Sequence, residues 1–157
     1  MRCMFTHGFM LDTSAINRIH DGLGCVWSLR GSLYVTDIQL QEISQTPNRE
    51  RRDSLLGAFF SLRPTVIRPL GVFFVPEHFG FSSYCDLGFA LSREDYPLPI
   101  GRIMPHIAEA LGSRIEKHSR DGLIAEAALT RELTLVTADR KLGKVASSFG
   151  ARVEQIG

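Results

Sequence analysis

The chain of 157 residues has the length of one domain with a single sizeable core. Hydrophobic residues make up 44% and charged residues 22%, an ordinary globular mixture that excludes a disordered or fibrous chain. The formal net charge of +1 excludes a polycation, so any nucleic acid would have to bind at a local patch.

The three cysteines, Cys3, Cys25 and Cys85, are odd in number and widely separated. This spacing fits neither a disulfide framework nor a zinc site, and it predicts buried or free thiols in a reducing cytosol. No segment has the roughly 18 apolar residues of a membrane span, and the apolar run near the N-terminus is too short for a signal peptide. We therefore expect a soluble cytoplasmic protein that does not enter a membrane.

Short apolar runs, each bounded by polar residues, predict the strands in chain order. They are Phe9–Leu11, Leu33–Val35, Leu133–Val136 and Ala151–Ile156. Short runs of this kind favour a parallel sheet that is covered on both faces. Val72–Val75 is a candidate for one more strand, although the surrounding segment 63–101, rich in proline and aromatic residues, predicts no clear elements.

Helical patterns separate these strands. They cover Ser14–Ile19, Asp37–Gln45, Asn48–Leu62, a run from Pro105 through Ile115, Asp121–Leu129 and Lys141–Phe149. Thr13 or Ser14 can cap the first helix, and Gly150 is a natural stop for the last. Alternating strands and helices predict an α/β/α three-layer sandwich with a central, mainly parallel sheet, in one domain spanning residues 1–157.

Two acids follow directly on predicted strands. Asp12 comes directly after Phe9–Leu11, and two residues separate Asp139 from the end of Leu133–Val136. Ligands of open parallel sheets bind outside the carboxyl ends of the strands, so both carboxylates are expected at the same edge. The ordinary structural interpretation of either acid is a turn or helix-capping residue.

Two further acids are expected on helices near that edge. Asp121 opens a predicted helix and shares a face with Ile124, so its carboxylate is expected at the inner rim of a helix N-terminus. Glu126 points roughly 140° away and should be solvated. Glu42 lies four residues beyond Ile38 on its helix. A favourable charge at the helix dipole would explain Asp121 alone, and surface exposure would explain Glu42 alone.

The separate structural interpretations do not explain why four acids should converge on one edge. Crowded carboxylates repel each other unless a cation is present. Ligation by oxygen alone, with no cysteine or histidine nearby, suits a hard ion such as Mg²⁺ or Mn²⁺. Such ions support metal-assisted hydrolysis of a phosphodiester bond.

Four stretches, FMLDTSAI, VTDIQLQEIS, RDGLIAEAAL and LVTADRKL, occur in this order along the chain. They resemble the motif blocks of the PIN-domain family, and the match is similar to VapC-like single-domain ribonucleases. The resemblance implies a Rossmann-like parallel sheet, RNA cleavage dependent on Mg²⁺ or Mn²⁺, and a homodimer. For the toxin branch it also implies a toxin–antitoxin pair with a cognate antitoxin protein.

The resemblance assigns candidate roles to seven residues. The matching acids are Asp12, Glu42, Asp121 and Asp139, of which Asp12, Asp121 and Asp139 would bind the metal and Glu42 would bind it or orient the attacking water. The supporting polar residues are Thr13, Ser14 and Thr137.

After the last acid the chain departs from the family pattern. Many toxin relatives have a further acid and a phenylalanine there, whereas this chain has Arg140-Lys141-Leu142, which favours one tightly bound ion. Arg140, Lys141 and Lys144 are candidates for contact with an RNA backbone, and a solvated helix face is the alternative.

Two other functions stay open at this point. A catalytically inactive PIN module could bind RNA or a protein partner. A phosphohydrolase of the haloacid dehalogenase type is disfavoured, because Asp12-Thr13-Ser14 lacks the second aspartate that such enzymes need.

Overall fold

The computed structural model describes residues 7–24, 29–67, 103–112 and 115–157. Within them, five parallel strands form one sheet in the order β3-β2-β1-β4-β5. The strands are β1 (Gly8–Leu11), β2 (Ser32–Thr36), β3 (Thr65–Ile67), β4 (Thr134–Thr137) and β5 (Arg152–Gln155). The first strand is central and the chain builds outward on both sides of it. The order of strands therefore reverses between β1 and β4, which is where such sheets bind ligands.

Six helices connect these strands. They are α1 (Thr13–His20), α2 (Asp37–Ser44), α3 (Arg49–Ser61), α4 (Ile103–Leu111), α5 (Ile115–Thr130) and α6 (Arg140–Ser148). The last helix stops as predicted, because Gly150 adopts a φ of 92° that side-chain-bearing residues rarely tolerate. No helix of the described residues is long and apolar enough to cross a membrane.

Helices cover both faces of the sheet. Successive strand residues point to opposite faces, so Met10 and Leu135 pack in one apolar cluster while Leu11 and Val136 pack in the other. The first cluster includes side chains of α4, α5 and α6, and the second includes those of α1 and α3. The predicted three-layer α/β sandwich is therefore confirmed.

The four predicted strands are all present, with ends that differ by at most one residue. A fifth strand, β3, lies at an edge of the sheet inside the segment that predicted no clear elements. Its three residues follow Pro64, and so short a run carries no readable periodicity. The candidate strand Val72–Val75 lies outside the described residues.

The helical run from Pro105 through Ile115 is interrupted, which the sequence pattern did not predict. Helix α4 ends at Leu111, and the amide of Gly112 donates to the carbonyl of Glu109 at 3.2 Å, a tightened last turn. Helix α5 then begins at Ile115, six residues before Asp121. The expectation that Asp121 opens a helix is therefore wrong, and its carboxylate projects from a helix interior.

The expectation that Glu126 is solvated is also wrong. Its exposed fraction is only 2%, within a stretch of α5, residues 122–128, that is buried throughout. Helix α5 packs on β1 and β4 with one side and on α4 with another, so little of its circumference reaches water. Helical periodicity alone does not reveal a second helix lying over the outward face.

Leu135→Ala should destabilise the fold by about 2–5 kcal/mol, because Leu135 is completely buried in one of the two central strands. The free energy of unfolding, measured by urea denaturation, tests this. Leu23→Ala is the matched control, since Leu23 is 60% exposed and its truncation should change stability by less than about 0.5 kcal/mol. Equal losses in the two variants would contradict the assignment of the core.

Candidate active site

Asp12 is buried where β1 ends. Its side chain caps helix α1, with Oδ1 accepting a hydrogen bond of 2.7 Å from the amide of Ala15. The residue is only 3% exposed. The sequence predicted Thr13 or Ser14 as the cap, which is wrong: their hydroxyls are used elsewhere. An aspartate caps a helix as well as serine does, so the backbone gains the same bond.

Two hydroxyls bind the same carboxylate from either side. Thr137, at the end of β4, donates to Oδ2 of Asp12 at 2.7 Å, and Ser14 donates to Oδ1 at 2.8 Å. The Ser14 oxygen in turn accepts from the amide of Ala138 at 2.9 Å. These bonds join the carboxyl ends of β1 and β4, the two strands at the switch point.

Asp139 is exposed and caps helix α6. Its Oδ1 accepts from the amides of Lys141 and Leu142 at 2.8 and 3.0 Å, and its own amide donates to the Thr137 hydroxyl at 3.0 Å. Its Oδ2 makes no hydrogen bond within the described residues. The capping interpretation therefore holds for Asp139, yet capping uses one oxygen and leaves the other available for a ligand.

Asp121 directly precedes the stretch of α5, residues 122–128, that is buried throughout. Ile124 and Ala128, which share a helix face with Asp121, are 1% and 0% exposed. The side chain of Asp121 itself stays 36% exposed at the rim, with Nδ1 of His118 at 3.7 Å from Oδ2. His118 precedes Asp121 by three residues on the same helix, so helical spacing brings the two side chains together.

Glu42 projects from α2 toward the start of α1. The hydroxyl of Thr13 donates to its Oε2, and Nη1 of Arg120 lies 3.7 Å from its Oε1. The Glu42 side chain is 22% exposed. Of the polar residues predicted to support the site, Thr13 donates to Glu42, whereas Ser14 and Thr137 donate to Asp12.

The four acids, Asp12, Glu42, Asp121 and Asp139, lie within each other's electrostatic field, and we call them the acidic edge. Burial, and then the charges of Glu42, Asp12 and Asp139, raise the pKa of Asp121 from 3.8 to about 7, against the opposing charge of Arg120. Burial also raises the pKa of Asp12, although its hydrogen bonds act in the opposite direction. The field of Asp139 adds to the rise.

The donor set of the acidic edge fits a hard divalent cation. Its members are carboxylates, and their mutual repulsion is the condition that a bound cation relieves. Within the part of the chain that the structure describes, no three His, Cys, Asp or Glu side chains stand close enough to share one ion. Side-chain rotation would therefore have to accompany ion binding.

A buried glutamine, Gln39, supports the end of β1 just before Asp12, and the sequence did not lead us to predict it. Gln39 of α2 is 0% exposed, and its Nε2 donates to the carbonyl of Leu11 at 2.7 Å. Its Oε1 accepts from the amide of Thr36 at 2.9 Å. The spacing from Thr36 to Gln39 is that of a capping box, which would have identified this residue from the sequence.

The basic candidates differ in what they contact. Lys141 donates through Nζ to the carbonyl of Leu111, the last residue of α4, so it takes part in packing α6 against α4. Arg140 and Lys144 are exposed and lie one turn apart on α6. Elsewhere on the surface, Arg51 of α3 pairs with Asp21 at 3.1 Å.

The sequence matches no protein-family model and no curated protein. Similar solved structures include a domain of a functionally unknown protein from Methanocaldococcus jannaschii DSM 2661, at 14% identity and a TM-score of 0.49. The match covers 96% of this chain and 91% of that chain. FitAcB from Neisseria gonorrhoeae is similar over 92% of this chain and 95% of that chain, at 17% identity and a TM-score of 0.42.

Gln39→Leu should lower the free energy of unfolding by about 2–4 kcal/mol, because it removes the buried hydrogen bonds that Gln39 makes with the Leu11 carbonyl and the Thr36 amide. Urea denaturation followed by circular dichroism measures the loss. A change below about 0.5 kcal/mol would show that Gln39 does not support the end of β1.

Asp121→Asn should stabilise the metal-free protein at pH 8 and lose this advantage toward pH 5. Because the pKa of Asp121 is raised to about 7 in the fold, its contribution to stability is complete at low pH and is lost as pH rises through that value. Thermal unfolding in EDTA across this range measures the difference from wild type. Glu154→Gln, at an exposed position on β5, is the control and should show no such trend. A difference that is constant with pH would contradict the prediction.

Proposed function

We propose that the protein is a metal-dependent endoribonuclease of the PIN-domain type, which hydrolyses RNA phosphodiester bonds at the acidic edge. The observation that carries this proposal is the convergence of four carboxylates from separate elements; after burial, the charges of Glu42, Asp12 and Asp139 help to raise the pKa of Asp121 to about 7. Proteins keep such crowding where function requires it, because it costs stability. The PIN-like order of the four motifs adds independent support.

Asp12, Asp121 and Asp139 would hold one Mg²⁺ or Mn²⁺ ion. A bound ion of this kind polarises an attacking water and stabilises the charge that develops on the phosphate. The chain itself contributes orientation, because Thr137 and Ser14 fix the Asp12 carboxylate with bonds of 2.7 and 2.8 Å. Precise placement of the reacting groups is a large part of such catalysis.

Glu42 would take the proton of the attacking water or hold that water in line. Its Oε2 is held by the Thr13 hydroxyl, and Thr13 is the residue next to Asp12. This bond keeps the Glu42 carboxylate near the other acids without adding a positive charge to it. A general base must lie within hydrogen-bond reach of its proton, and this arrangement favours that role.

Arg140 and Lys144 are the better candidates for binding the RNA backbone. Both are exposed near the start of α6, next to Asp139. Lys141 is the weaker candidate, because its ammonium group already binds a carbonyl of α4. Contacts of this type make affinity fall with salt, and removing one should reduce the salt dependence of RNA binding.

A toxin–antitoxin role belongs to the same proposal and rests on the resemblance to VapC-like ribonucleases. The partners would be a cognate antitoxin protein and a second copy of this chain in a homodimer. Copurification with the product of an adjacent small open reading frame tests the first. Light scattering of the purified protein tests the second.

Asp12→Asn should lower RNA cleavage by at least about a hundredfold, since loss of even a residue that supports a metal ligand costs about 10- to 100-fold. Asparagine keeps an oxygen for the amide of Ala15, so the fold should survive. The measurement is cleavage of mixed RNA with Mn²⁺, Mg²⁺ or EDTA. Asp53→Asn, an exposed acid on α3, is the control and should cleave like wild type.

Cleavage by wild type and Asp53→Asn, stopped by EDTA and absent in Asp12→Asn, would support the nuclease. Equal cleavage by all three proteins would indicate contamination or a different site. The rival proposal is the catalytically inactive module that binds RNA or a protein partner. RNA binding without cleavage by any of the proteins would support that rival.

A further inference from the structure

Arg120 brings a positive charge into the acidic edge. It directly precedes Asp121 on α5, and its Nη1 lies 3.7 Å from Oε1 of Glu42 and 3.2 Å from Oε1 of Gln45. Glu42 is on α2 and Gln45 is its C-cap, so the guanidinium connects α5 with the C-terminal end of α2. The Arg120 and Glu42 side chains are 28% and 22% exposed, which leaves their pair less screened than one on the open surface.

Glu42 is therefore held from two sides. The hydroxyl of Thr13 donates to Oε2, and Arg120 faces Oε1. A hydroxyl leaves the carboxylate its full charge, as it does for Asp12, whereas a guanidinium offsets that charge. A divalent ion that approaches Glu42 must compete with Arg120, but an ion that approaches Asp12 competes only with neutral donors.

We propose that Arg120 is the internal counter-ion of the acidic edge, and that by holding Glu42 it limits the edge to a single divalent ion. The inference rests on the proposed function, since it concerns the same metal site. Arg120 is a positioning residue that acts through Glu42. Its opposing effect on the raised pKa of Asp121 is what an internal counter-ion produces.

Titration of the metal-free protein with Mn²⁺, followed by the electron paramagnetic resonance signal of the free ion, tests the proposal. Wild type should bind one ion. Arg120→Gln should either bind a second ion or bind the first about fivefold more tightly, which is the change in affinity expected from the loss of one ion pair. Arg120→Lys keeps a positive charge and should resemble wild type. Arg30→Gln is the control, because Arg30 is exposed ahead of β2, away from the carboxyl ends of the strands, and forms no ion pair within the described residues.

A second variant shows whether the effect passes through Glu42. Adding Glu42→Gln to Arg120→Gln should abolish the gain in Mn²⁺ binding, and circular dichroism should show that every variant is folded. Equal Mn²⁺ binding by wild type and Arg120→Gln would overturn this inference alone, as would a gain that survives Glu42→Gln. Absence of Mn²⁺ binding in both would overturn the proposed function together with it.

Discussion

The buried carboxylate of Asp12 is the constraint around which this edge of the protein is organised. Asp12 is only 3% exposed, and burying an ionisable group destabilises the fold unless hydrogen bonds offset the lost hydration. Asp12 accepts such bonds from α1 and from Thr137 at the end of β4. Its amide also binds the carbonyl of Val136 at 3.0 Å. The two strands of the switch point are thereby locked together at their carboxyl ends, and the helices that follow them start from fixed positions.

Structural and functional interpretations of the acids are compatible, because each uses different atoms. Asp12 and Asp139 both cap helices, and capping engages Oδ1 of each. Asp139 retains its second oxygen for a ligand, and Asp12 offers one that is held only by neutral hydroxyls. A carboxylate that caps a helix after a parallel strand therefore already lies at the edge where such sheets bind ligands, and no further structural element is needed to place it there. The same geometry stabilises the helix and presents the charge.

The sequence predicts those features that depend on local pattern and on chain order. Four strands, the parallel sheet and the positions of Asp12 and Asp139 follow from short apolar runs and from the topology of βαβ units. Features that depend on partners distant in the chain do not follow. The burial of Glu126 depends on the packing of α5 between the sheet and α4, and the interior position of Asp121 depends on where α5 begins after the break at Gly112. The pairing of Thr13 with Glu42 spans 29 residues, and nothing local in either motif indicates it.

The net charge of the site is likewise a tertiary property. Counting the motif acids yields four carboxylates, but the motifs do not indicate that Arg120, which directly precedes Asp121, lies within reach of Glu42. Because Arg120 and Asp121 are neighbours on α5, this helix brings a positive and a negative charge to the same edge. The guanidinium of Arg120 is part of the protein and is always present, while a divalent ion binds only at sufficient concentration. Part of the charge of the acidic edge is therefore offset within the fold itself, and the remaining repulsion is what the proposed ion would relieve.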